Sequence, residues 1–254
     1  MSTKPKSEPA IPVLPNGEAD TKPCWSCGDM RAAYFCSACG RVQPPAPTDF
    51  FSFFGLPRRL NLDPAALEKE MFTLSRLLHP DLYARATAQE QDWSLQQTSK
   101  LNDAYRTLRD PILRTEYLLR LEGIKSGQQS KQATELARAT GSKKQAVPPD
   151  LLEEVFELNL QLEEFRARKA GDDQAGLRRQ LESTRKALAA KLDGLGGELR
   201  ACWQDWDALI AGEMAGEPPA PERRRRMLEQ MTDILNRRRY TDNLMREIST
   251  ALSD

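Results

Sequence analysis

The chain has 254 residues, which we read as two or three small domains in preference to one large one. Charged residues make up 29%, glycine is sparse, and Leu, Glu, Arg, Ala and Gln dominate, so helix is favoured over sheet. The 37 basic residues balance 37 acidic ones, which removes any net field toward nucleic acid or an anionic membrane, and no apolar run approaches the roughly 20 residues that span a bilayer.

Residues 1–22 are rich in Pro, Lys, Glu and Ser and contain no Arg and no apolar h-region. That composition suits neither a secretory signal nor an organellar transit peptide, and it predicts a disordered tail on a cytoplasmic protein. Residues 23–41 then carry four of the five cysteines, in Cys24-Trp25-Ser26-Cys27-Gly28 and Cys36-Ser37-Ala38-Cys39-Gly40. Two thiolates separated by two residues can curl round one ion, and two such pairs complete a tetrahedral site. Cys24, Cys27, Cys36 and Cys39 are therefore the expected metal ligands, with zinc preferred over iron. Two disulfides in a secreted mini-domain, or a thioredoxin-type redox pair, are weaker readings, because neither a signal peptide nor a βαβ setting is in view. With four protein ligands the site is closed, so its role is structural. Cys202 lies apart in a helical pattern and reads as a buried thiol.

Pro44-Pro45-Ala46-Pro47 forms a stiff linker. Phe50 to Phe54 gives a short aromatic helix stopped by Gly55 and Pro57. Asp63-Pro64 caps the next helix, whose Leu67, Met71, Leu74 and Leu78 recur on one stripe while Lys69 and Arg76 share another face. Pro80 disfavours helical geometry at His79, so the helix ends near Leu78 and a loop runs from His79 to about Thr87. A helix from about Gln89 to Leu108 returns with Leu101, Ala104, Tyr105 and Leu108 inward. This predicts an antiparallel hairpin with His79-Pro80-Asp81 exposed at its tip. Asp110-Pro111 caps a further helix to about Leu121. His79 is the only histidine, and a hairpin tip offers neither a partner base nor a sheltered cleft, so catalysis there is a poor reading.

From Phe50 to Leu121 the sequence resembles a J-domain, the module that stimulates a DnaK-type ATPase. The likeness rests on the His79-Pro80-Asp81 loop, the preceding helix with Lys69 and Arg76, and the helix that follows. More specifically it resembles the HscB family of iron–sulfur cluster assembly. The stretches concerned are Phe51-Ser52-Phe53-Phe54-Gly55-Leu56-Pro57, Leu101-Asn102-Asp103-Ala104-Tyr105-Arg106-Thr107-Leu108 and Pro111 to Leu119. The cysteine module is similar to the zinc-binding extension of some relatives, eukaryotic ones above all, which keeps a mitochondrial location open beside the cytoplasmic one. The likeness runs from Cys24 to the C-terminus, with gaps.

Residues 123–149 are a polar linker, longer than HscB relatives usually have, with a helix expected around Ala133 to Ala139. Asp150 caps a helix bearing Leu151, Leu152, Val155, Phe156, Leu158, Leu162 and Phe165. An apolar arc this wide marks either the centre of a bundle or a second face offered to a partner. A segment from Ala175 to about Ile210 follows, with a break or kink expected at Gly194-Leu195-Gly196-Gly197, and a last helix runs from Pro221 to about Leu252. The arginine runs, 223–226 and 237–239, fan around that helix and read as solvated surface more readily than as a nucleic-acid stripe.

The expected fold is all-α. A zinc module (23–41) precedes a J-domain (48–122), a linker (123–149) and a three-helix bundle (150–254). The resemblance implies a co-chaperone, not an enzyme. Its His79, Pro80, Asp81, Lys69 and Arg76 would engage an HscA- or DnaK-type ATPase, through a contact that weakens with salt. Its bundle would bind an IscU-type scaffold through Leu152, Phe156, Glu157 and Tyr240, with Leu160 and Glu153 nearby. Glu153 stands where relatives often have an apolar residue, and Leu160 where many have an acid. A J-protein for another client, and a zinc-dependent nucleic-acid adaptor, are the rival readings.

Overall fold

The computed structural model describes residues 23–29, 34–124, 152–167 and 174–253. The expected tail (1–22), the linker helix at Ala133 to Ala139 and the Asp150 cap lie outside the described residues. Seven α-helices carry the described fold: α1 (Phe50–Phe53), α2 (Pro64–Leu78), α3 (Ala88–Arg109), α4 (Pro111–Leu121), α5 (Leu152–Ala167), α6 (Gln174–Met214) and α7 (Pro221–Ser253). A 3₁₀ turn, Pro80–Tyr83, joins α2 to α3, and the one extended pairing among the described residues is an isolated antiparallel bridge between Phe35 and Val42. The all-α expectation holds. Among the described residues no helix is long and apolar enough to cross a membrane. The chain divides into two compact units, Met1–Arg114 and Thr115–Asp254.

In the first unit, helix starts follow the capping chemistry of the sequence. Asp49 accepts the Ser52 N–H and Asp63 the Ala65 N–H, each at 2.9 Å, and Pro64 opens α2 where its missing N–H costs nothing. Asp110 accepts the N–H groups of Ile112 and Leu113 at the start of α4. The α2–α3 hairpin buries Leu67, Leu74 and Leu78 from one side and Leu101, Ala104 and Leu108 from the other, with Phe51 and Phe53 of α1 closing the core. Met71 and Tyr105, expected on the same stripes, are half-buried at their edges.

In the second unit α5, α6 and α7 form the expected bundle. Leu158 and Leu162 of α5 meet Leu181 and Leu188 of α6 and Leu244, Ile248 and Ala251 of α7. Two expectations need correction. Helix α6 runs unbroken through Gly194, Gly196 and Gly197. Each glycine costs about 1 kcal/mol against alanine, but Leu195 and Leu199 are buried on either side and hold the helical register. Gly196 also leaves room for arginine: a Cβ there would sit 3.5 Å from Arg200 Nη1 and 3.9 Å from Arg238 Nη1, and Arg238 donates to the Leu192 carbonyl at 3.4 Å. Nor are the arginine runs merely solvated. Arg224 grips Glu122 with two hydrogen bonds (2.9 and 3.1 Å), bonds Glu213 at 3.0 Å, and lies 5.0 Å from the centre of the Trp206 ring. Arg239 pairs with Glu116 at 3.1 Å. The planar guanidinium fork makes such two-sided contacts where lysine could not. Residues Glu116 and Glu122 are thereby tied to the long helices.

Candidate functional site

The His79-Pro80-Asp81 loop is fixed from beneath. A helix leaves its last carbonyls without intrahelical donors, and Pro80 prevents the usual continuation. Here the Leu78 carbonyl accepts the hydroxyls of Ser94 (2.7 Å) and Thr98 (2.9 Å), both on α3, and the Leu77 carbonyl accepts the buried Tyr83 phenol at 2.8 Å. His79 Nδ1 accepts the Asp81 N–H at 3.3 Å, so the imidazole caps the 3₁₀ turn and its Nε2 edge is what a partner can meet. The side chains of His79 and Asp81 are 51% and 91% exposed. Lys69 and Arg76 are exposed on α2, as expected. Replacing Ser94 with Ala together with Thr98 with Val should leave the Leu78 carbonyl unsatisfied, at a cost of about 1–3 kcal/mol. Urea denaturation would register that loss, and amide exchange at Leu82 and Ala84 should speed up; unchanged values in both would mean that the clamp carries no weight.

The four expected ligands come together. The sulfurs of Cys24, Cys27, Cys36 and Cys39 all lie within 4.8 Å of one another. Cys24 and Cys39 are 3.7 Å apart and Cys27 and Cys36 3.6 Å, far from the roughly 2.05 Å of a disulfide. Four thiolates about 2.3 Å from one tetrahedral ion stand about 3.8 Å apart, so the donor set fits a single thiophilic metal. Two equivalent turns build it. The N–H of Gly28 bonds the Cys24 carbonyl and that of Gly40 the Cys36 carbonyl, at φ values of 75° and 71° that an L side chain resists.

The cysteine module is also docked, through contacts that the sequence did not disclose. Trp25 packs edge-on to Trp93 of α3 at 5.6 Å, beneath the Arg41 guanidinium at 5.3 Å. Arg41 reaches the buried Glu90 at 3.1 Å, and Gln97 donates to the Gln43 carbonyl at 3.0 Å. Tyr34 stacks on Phe53 at 4.4 Å. The proline linker is strapped to α3, because Lys100 donates to the Ala46 carbonyl and the Thr48 hydroxyl.

On the bundle, the wide apolar arc of α5 divides. Leu158 and Leu162 face the core, with Val155 and Phe165 against it, whereas Phe156 is 66% exposed and Leu160 is exposed beside it. Glu153, Phe156, Glu157 and Leu160 share this outer face by helical spacing, and both acids are exposed. Leu152 opens the helix, and its side chain lies outside the described ones. Tyr240 of α7 is half-buried, its phenol raised by burial, one turn before the core residue Leu244. Glu157 borders a groove of about 310 Å³ shared with Gln161, Lys191 and Leu244.

Comparison with known proteins places this geometry. No family model matches the chain. The co-chaperone protein HscB homolog of Bordetella avium is 34% identical over 172 residues, covering 68% of this chain and 90% of the relative. The chain belongs to the HscB co-chaperone family. The iron-sulfur cluster co-chaperone protein HscB of Mus musculus is 39% identical over 114 residues, covering 42% of this chain, and the Arabidopsis thaliana homolog is 35% identical over 102 residues, covering 40%. Those matches span only 49% and 40% of the relatives' own lengths. The crystal structure of human HscB superposes with a TM-score of 0.58 at 25% identity, over 89% of this chain and 96% of that one. HscB from Vibrio cholerae gives 0.52 at the same identity, over 80% of this chain and 96% of that one.

Of the side chains that support this HscB-family site, Glu90 is the one with a readable sequence signal. Thr87 and Glu90 form a capping box: the Glu90 carboxylate accepts the Thr87 N–H (3.1 Å) and hydroxyl (2.8 Å). Burial pushes the Glu90 carboxyl up, but the Thr87 hydrogen bonds and Arg41 outweigh it and hold the group below the ordinary range. A carboxylate lowered on folding contributes stability that is complete above its unfolded pKa of about 4.3 and is lost as pH falls through the folded value. Glu90→Gln should therefore be clearly less stable than wild type at pH 7 and nearly equal to it at strongly acid pH. Paired denaturant titrations check this, since acid loss of thiolate ligation is common to both proteins. A pH-independent gap would contradict it.

Proposed function

We propose that this chain is a co-chaperone of iron–sulfur cluster assembly that binds an IscU-type scaffold protein and stimulates the ATPase of an HscA- or DnaK-type chaperone. In this reading residues 48–122 act as the J-domain and residues 150–254 as the scaffold-binding domain. His79, Pro80 and Asp81, flanked by Lys69 and Arg76, dock on the ATPase. Phe156, Glu157 and Tyr240, with Leu152, form the scaffold face, and the cluster itself is cargo. The chain contributes no reacting group of its own. The chemistry it influences takes place on the partner, and hand-over of the scaffold promotes transfer of the cluster to acceptors. Cys24, Cys27, Cys36 and Cys39 hold a structural zinc ion, which supplies folding energy to residues 23–41. The cytoplasm is the location we assign, with mitochondria the equivalent site in a eukaryote.

The observation that carries the reading is the exposed His79-Pro80-Asp81 turn, clamped at a hairpin tip in a chain of the HscB family. The exposed Phe156 between two acids supports the scaffold face, since a large apolar side chain in water gains by being covered. ATPase rates of a DnaK-type chaperone with wild type and with His79→Gln test the first part: stimulation should vanish with the variant, and equal stimulation would refute it. Phe156→Ala should weaken scaffold binding about tenfold or more while leaving the bundle's melting temperature unchanged. A variant that melts early instead would return Phe156 to the core and remove it from the site.

A further inference from the structure

We infer that the ATPase-docking surface is not only basic but carries two apolar anchors, Phe72 and Leu82. Lys69, Phe72, Arg76 and His79 follow one another at spacings of three, four and three residues, which places them along one line on α2 and its cap. Phe72 is 58% exposed, between two exposed cations that form no salt bridge among the described residues. Beyond the helix the line continues. The Leu82 N–H bonds the His79 carbonyl at 3.0 Å across the 3₁₀ turn, and in that geometry residues three apart stack above one another. Leu82 is 63% exposed while its neighbour Tyr83 is buried and anchored to the Leu77 carbonyl, so the turn holds Leu82 outward. The result is one ribbon that alternates cation, ring, cation, imidazole and branched aliphatic.

Single exposed apolar residues are ordinary. Here two of them fall in register with the charged residues already assigned to docking, and the turn that presents Leu82 is the one that presents His79 and Asp81. The occupant that fits is the same ATPase, through an acidic surface with apolar recesses between its carboxylates. This inference rests on the docking role proposed above for His79. It divides the labour along the ribbon: Lys69 and Arg76 steer and orient, whereas Phe72 and Leu82 hold, through contacts that salt does not screen.

The test is a titration of a purified DnaK-type chaperone and ATP with the full chain, using wild type, Phe72→Ser, Leu82→Ser, the double variant and His79→Gln. Each single apolar variant should raise the concentration for half-maximal stimulation about tenfold, with the maximal rate retained, whereas His79→Gln should lose the maximal rate. In raised salt the wild type should keep part of its affinity and the double variant almost none. Circular dichroism and thermal melts of each variant confirm that α2 is intact. A double variant that titrates like wild type in both salts would overturn the anchors while leaving the role of His79 standing. Absence of stimulation by the wild type would overturn both.

Discussion

Removing the proposed metal from the cysteine cluster is expected to unfold the cysteine module and to weaken the whole first unit. Among the described residues the module has almost no core of its own: Val42, Cys24 and Cys36 are the buried apolar ones. Ligation of the proposed ion would therefore supply its folding energy, about 10–16 kcal/mol in comparable zinc-binding peptides. The loss should not stay local. Cys24 Sγ accepts a hydrogen bond from Gln43 Nε2 at 3.4 Å, and the Gln43 carbonyl accepts one from Gln97 Nε2 at 3.0 Å, so two bonds lead from a ligand to the middle of α3. When the module unfolds, Gln97 loses that partner and Glu90 loses Arg41. A strong chelator at neutral pH should release one metal equivalent per chain, change the emission of the adjoining Trp25 and Trp93, and lower the melting temperature of the unit. Cys36→Ser should reproduce the effect without chelator. Identical melting curves and tryptophan emission with and without metal would show that the module folds without it.

The second large effect is expected in the bundle. Trp206 is fully buried, and the Arg224 guanidinium that binds Glu122 and Glu213 rests on its ring. Trp206→Ala should cost about 3–5 kcal/mol for the lost packing and cavity. The arginine would also lose its cation–π contact, worth about 0.5–2 kcal/mol. Trp206→Phe keeps an aromatic face and should recover a large part of the loss. Guanidinium denaturation of the second unit measures both, and a loss below about 1 kcal/mol for the alanine variant would mean that the site collapses to fill the gap. The contrast with Phe156 is instructive, because both are large aromatic residues on bundle helices and only one should matter for stability.

What the residues disclosed in advance was whatever depends on neighbours in the chain. Pro80 ends α2 by a steric rule, Asp63 and Asp110 cap helices through their own side chains, and the two Cys-x-x-Cys-Gly turns are local repeats. The remainder depends on which faces meet. Ser94 and Thr98 look like ordinary polar helix residues until the end of α2 arrives beside them. Arg41 and Glu90 pair across 49 positions of sequence, which no local pattern could announce. The glycines of α6 suggested a break because propensity was weighed without the packing that opposes it. The apolar arc of α5 left two readings open, a bundle centre or a second face, and its width hid which residues turn inward; the position of α6 and α7 decided that Leu158 goes in and Phe156 stays out.

Helix α3 serves two masters along a single stretch. Trp93 and Gln97 support the cysteine module, while the next residue in each case, Ser94 and Thr98, holds the carbonyl beneath His79. Trimming the chain to a minimal J-domain beginning near Asp49 would thus strip one flank of this helix bare. Glu90 would lose its arginine, and Gln97, next to Thr98, its carbonyl partner. A shortened fragment should be sought with Trp93 and Gln97 recast for water, and its activity compared with the intact chain before any loss is blamed on a missing partner contact. Chains of this family that naturally lack the cysteines would be expected to have made the same exchange.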